Sequence, residues 1–236
     1  MSQRIFGLLL AAALSAAAAA ASAPTENAPP APAAQVGLFS GSVQVQLGGS
    51  DVWFMAKPDQ RLPTGSLVKT ESGSSCAIFF WDQSKVRLGP KATFRLGEVS
   101  ADKVTVYIGS GKLEAWVKNS DKREFQARNP VSTASVQTAV FVMDVLSPAS
   151  VTLDLFEGAL TIQDQLGNTA QVAEGQRVEA SATTGVSAPA PMPTGISKPA
   201  EPTITAPDKP ARKKPAQQAE PQAPAKSTGT ATSSQP

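Results

Sequence analysis

Apolar and polar residues alternate in short runs through the middle of the chain. Val43-Gln44-Val45-Gln46-Leu47, Val104-Thr105-Val106-Tyr107-Ile108 and Val151-Thr152-Leu153-Asp154-Leu155 show it plainly, and Leu160-Thr161-Ile162 resumes it after a glycine. A period of two marks a strand with one buried face. Cys76-Ala77-Ile78-Phe79-Phe80-Trp81 and Val140-Phe141-Val142-Met143 are unbroken apolar runs, which predict strands covered on both faces. Turn-forming residues separate the runs at Gly48-Gly49-Ser50-Asp51, Pro63-Thr64-Gly65, Asp82-Gln83-Ser84 and Leu166-Gly167-Asn168. No stretch carries a capped 3.6-residue period, so the expected class is all-β.

A unit recurs within this pattern: an apolar residue, a turn ending in glycine, a spacer, then an alternating strand. It centres on Gly41, Gly65, Gly111, Gly158 and Gly175, with a looser copy at Gly89. Successive glycines lie 24, 24, 22, 47 and 17 residues apart. A period in the twenties points to a β-roll or solenoid. A β-sandwich with hairpins of similar length is the competing expectation.

Composition divides the chain. Residues 1–23 combine Arg4, an Ala/Leu-rich stretch and the small residues Ala21-Ser22-Ala23, the pattern of a signal peptide. Cleavage is expected between Ala20 and Pro24, leaving no stable membrane span; an uncleaved anchor is the alternative. Residues 24–35 form a Pro/Ala-rich linker. Residues 181–236 hold eleven prolines and no aromatic residue, a composition expected to stay disordered. The folded domain is therefore expected over residues 36–180, which hold twelve of the thirteen aromatics.

Charge and rare residues narrow the chemistry. The formal charge is +2, which argues against nucleic-acid binding. With no histidine, a histidine base and His-ligated metal sites are excluded. Cys76 is the single cysteine, and its place in an apolar run predicts a buried, inert thiol.

The glycines and the residues between them resemble the FecR family. The likeness runs from about residue 36 to residue 180. It takes in Val68-Lys69-Thr70, Asp82-Gln83-Ser84, Lys85-Val86-Arg87-Leu88, Gly111 with Leu113, Phe125, Asn129-Pro130, Phe141 and Phe156-Glu157-Gly158. The chain departs at Gln83, where the family has glycine, and at Gln137-Thr138-Ala139, where it has Arg-Gly-Thr. The resemblance implies an exported, non-enzymatic β-domain in the periplasm, working in signalling or as an assembly scaffold. Only four residues precede Ile5, so an anti-sigma domain and contact with a cytoplasmic sigma factor are not expected.

No catalytic, cofactor or metal site is expected. Asp144, Asp154, Glu157, Asp164 and Glu174 could supply a glycosidase pair, but alternation puts Asp154 on a solvated face. Trp53, Trp81, Trp116 and Tyr107 could stack on a glycan, or fill the core as such residues more often do. Arg212-Lys213-Lys214 is either an electrostatic contact for envelope polymers or a solubilising patch. Two functions remain: binding of another envelope protein, through sheet edges or the face carrying Gly41, Gly65, Gly111 and Gly158, and binding of cell-wall glycan.

Overall fold

The computed structural model describes residues 32–100, 102–118 and 123–203. The signal peptide expected over 1–23, the linker up to residue 31, and Arg212-Lys213-Lys214 lie outside the described residues. The chain divides into two compact units, Met1–Pro199 and Ala200–Pro236. The first carries every described strand.

The described residues form sixteen strands and no helix. The first eight are β1 (Pro32–Ser40), β2 (Val43–Gln46), β3 (Trp53–Met55), β4 (Arg61–Pro63), β5 (Leu67–Thr70), β6 (Ser75–Phe80), β7 (Lys85–Leu88) and β8 (Thr93–Val99). Then come β9 (Lys103–Val117), β10 (Glu124–Arg128), β11 (Ser132–Ser147), β12 (Ser150–Asp164), β13 (Thr169–Ala173), β14 (Gln176–Ser181), β15 (Gly185–Val186) and β16 (Ala190–Pro191). Their Val, Ile, Thr and Phe content suits pleated, half-buried backbone.

All sixteen belong to one hydrogen-bonded sheet, which the long strands divide into two rows. The first row runs β4-β1-β6-β7, then residues 111–117 of β9, 139–147 of β11, 150–157 of β12, and β14 with β15 and β16. The second runs β3-β2-β5-β8, then residues 103–110 of β9, β10, 132–136 of β11, 158–164 of β12, and β13. The rows face each other. Phe80 of the first meets Phe125 of the second edge to face, ring centroids 5.9 Å apart, and the buried side chains of both rows form one core.

This is the sandwich expectation, not the solenoid. Successive coils of a β-solenoid pair in parallel; here only β9 with β10 does so. The repeat is nevertheless real. Gly41, Gly65, Gly111, Gly158 and Gly175 all have φ between 78° and 87°, and each stands where the chain passes from one row to the other. At Gly111 and Gly158 the chain does not turn, as expected, but bends within a continuous strand. β11 crosses without a glycine, through a bulge at Gln137-Thr138, the segment that replaces Arg-Gly-Thr.

The strands overrun the expected limits of 36–180 at both ends. β1 begins at Pro32, while β15 and β16 lie in the segment expected to be disordered. Main-chain hydrogen bonds order residues 181–192 without any aromatic anchor: Ala182 donates to Ala149, Ser187 to Glu179 and Met192 to Gly175.

Candidate binding surfaces

Side chains that alternate away from the shared core line two outer faces. Their charge arrangement differs. On the first row, register aligns Arg87, Glu114, Val142, Asp154 and Arg177 across five strands. Arg87 Nε donates to Glu114 at 2.6 Å. Arg177 grips Asp154 through two bonds of 2.6 and 2.8 Å, and this pairing holds the guanidinium above its ordinary range. Lys112 lies 4.0 Å from Asp144. These pairs floor a groove of about 620 Å³, bordered by Ile196, Ser197 and Pro199, and Lys198 reaches Glu157 at 2.5 Å.

The second row shows a different line. Trp53, Gln46, Leu67, Arg95, Tyr107 and Arg128 stand in consecutive register from β3 to β10. Thr133, Gln163 and Thr169 continue it to β13. Lys69 lies over Trp53 at 4.3 Å; Arg95 and Arg128 lie 4.1 and 5.8 Å from the Tyr107 ring. Arg128 Nη2 donates to Gln126 Oε1 at 3.1 Å, and Gln126 Nε2 donates to Glu124 at 3.0 Å. The Gln126 bond, with Ser135, Lys103 and Arg128 assisting against burial, holds the Glu124 carboxyl below its usual range.

β3 pairs on one side only. Ala56 N–H donates to Val43 O, which makes Val45 and Phe54 a hydrogen-bonded pair and turns the main-chain groups of Trp53 and Met55 toward the open side. Val52 and Met55 beside it are 65% and 53% exposed. The opposite edge, β13, presents Thr169, Gln171 and Ala173 instead.

The structure disperses the expected carboxylates. Asp144, Asp154 and Glu157 each have the separate cation named above. Glu174 is exposed. Asp154 is not on a solvated face: it is buried, because Arg177 from β14 covers the outer side of its strand. Asp164 is also buried and accepts four hydrogen bonds, from Leu166 N–H, Asn168 N–H, Asn168 Nδ2 and Val186 N–H. Burial pushes its carboxyl up, but these donors outweigh it and hold the group below its ordinary 3.8.

The tryptophans form no common platform. Trp116 is buried on the outer side of the first row, with Arg87 5.4 Å from its ring. Trp81 is 60% exposed in the turn after β6, where core packing was expected. It closes the apolar run, so the chain has already left the sheet when it is reached. Only Trp53 and Tyr107 share a line. The cations beside them, Lys69, Arg95 and Arg128, escaped the sequence reading. Alternation with Val68, Phe94 and Ala127 could have placed each on an outer face, but not together. Cys76 is buried as expected, and burial pushes its thiol up to about 12.

Residues 66–161 match the family model described as FecR protein. Over these residues the chain matches a FecR domain. The match opens just before β5 and closes inside β12, so it contains the glycine bends at Gly111 and Gly158, the departures at Gln83 and 137–139, and Phe141. The strands before β5 and after β12 flank the matched residues. No curated protein matches the chain. Two crystal structures of a candidate anti-sigma factor from Parabacteroides distasonis align with TM-scores of 0.47 at 14% and 15% identity, covering 53% of this chain and 59% of those chains.

Proposed function

We propose that this chain is an exported, non-enzymatic binding domain that takes another protein of the cell envelope by strand addition at the open edge of β3. One observation carries the reading. The main-chain groups of Trp53 and Met55 face away from the sheet, with the exposed apolar side chains of Val52 and Met55 beside them. Sheets blunt their free edges with charge, proline or cover, and β3 itself has none of these. An added strand gains main-chain hydrogen bonds for affinity and flanking side-chain contacts for specificity. The FecR match and the signal-like residues 1–23 support a periplasmic regulator or scaffold.

Met55→Pro is the decisive variant. It removes one outward N–H while sparing the bonds to β2, an edge-strand position that proline tolerates. A photocrosslinker at position 52 of the full chain, used in intact cells, should trap a discrete partner. Met55→Pro should abolish that adduct with an unchanged melting midpoint. An adduct that survives both Met55→Pro and Met55→Asp would overturn the reading.

A further inference from the structure

The outer face of the second row has a charge pattern that protein capture at β3 does not use. Its central line contains Arg95 and Arg128 and no carboxylate. The adjacent line through Lys69, Thr93 and Ser110 has none either, nor do Thr105, Gln126, Ser135, Thr161 and Gln171 on the other side. Two carboxylates border it: Glu98, exposed in the β8 bulge opposite Thr105, and Glu124, one line further out and engaged by Gln126. Asp164, which borders the hollow beside Arg128, has its oxygens filled by four N–H donors. On the first row, by contrast, Arg87, Arg177 and Lys112 each face a carboxylate.

We infer that this face binds an extended acidic polysaccharide, one that carries carboxylates at intervals along a chain of hydroxyls. Arg95 is exposed, lies over the Tyr107 ring and has no carboxylate partner, so its rim N–H donors are free to take an oxyanion. Arg128 is on the far side of the same ring, and its Nε is buried without a hydrogen-bond partner. The two arginines are two strand spacings apart, about 10 Å. That interval suits one acid per disaccharide; nucleic acid presents charge far more densely. The amides and hydroxyls of Ser135, Thr161 and Gln171 border a hollow of about 760 Å³, and those of Thr133 and Gln163 a second of about 200 Å³. They offer both donors and acceptors to sugar hydroxyls. Guanidinium over both sides of Tyr107 also explains why the ring serves as a support for cations and not as a bare stacking surface.

The test uses the full chain and hyaluronate, which carries one carboxylate per disaccharide, in affinity electrophoresis at several salt concentrations. Retardation should occur and fade with salt. Arg95→Gln and Arg128→Gln should each weaken it about tenfold, the loss expected for one charge-assisted contact. Arg87→Gln, on the other face, should leave it unchanged, as it leaves residues 212–214 in place. Melting midpoints confirm that the variants fold. Absence of retardation overturns the inference. So does equal retardation of parent and both arginine variants, or equal retardation by neutral dextran. Tighter binding to single-stranded DNA than to hyaluronate would show a response to charge density alone and overturn it as well. Each outcome is independent of Met55 and of the β3 edge.

Discussion

Asp164 accepts the Val186 N–H at 3.0 Å, and through this bond the end of β12 holds the strand that follows β14. Residues beyond Ala180 are therefore part of the fold. Truncation after Ala180 removes the main-chain bonds of Ala182, Ser187 and Met192 together with β15 and β16. At roughly 0.5–1.5 kcal/mol per bond, the cost should be about 2–4 kcal/mol. Urea unfolding of the truncated and full chains measures it.

The same carboxylate gives a pH dependence. Its folded pKa is depressed, so its contribution is present above 3.8 and is lost as pH falls through the lower folded value. The melting midpoint should drop below about pH 4, and Asp164→Asn should flatten that part of the profile. A parent and variant with parallel profiles between pH 5 and pH 2 would exclude the assignment.

Gly158 bends β12 between the rows. Its φ is 85°, and a Cβ there would sit 2.3 Å from the Thr138 carbonyl oxygen. Gly158→Ala combines left-handed strain with a backbone clash and should cost about 2–4 kcal/mol. Gly167 has φ 91° and open space around it, so Gly167→Ala should cost only about 1 kcal/mol. Thermal melts of the pair separate conformation from contact.

Gln83 adopts φ 68° at the position where the FecR pattern has glycine. The turn between β6 and β7 thus holds a residue whose Cβ disfavours the conformation. Gln83→Gly should raise stability by about 1 kcal/mol, less the entropy glycine loses on folding. A lowered denaturant midpoint would mean that the Gln83 side chain contributes more than its backbone costs.

Phe141 is fully buried and stands in register between Ala115 of β9 and Leu155 of β12. Phe141→Ala should destabilise the fold by about 3–5 kcal/mol. Chemical denaturation measures this directly, and an unchanged midpoint would contradict its place in the core.

The sequence alone determined the strands, their buried faces and the repeating glycines. Period-two alternation is a local property, and so is the need for positive φ at Gly111 or Gly158. It also marked Phe141 and Cys76 as buried, because both lie within unbroken apolar runs. Only the tertiary structure decided that the glycines are bends between two facing rows, since a local pattern does not say which strands pair. Only register brought Arg95 and Arg128 to either side of Tyr107, from three strands separated by up to 33 residues. Asp154 shows the limit most clearly. Alternation correctly turned it away from the core, but Arg177, 23 residues later in the chain, buries it there, and nothing near Asp154 in sequence encodes that partner.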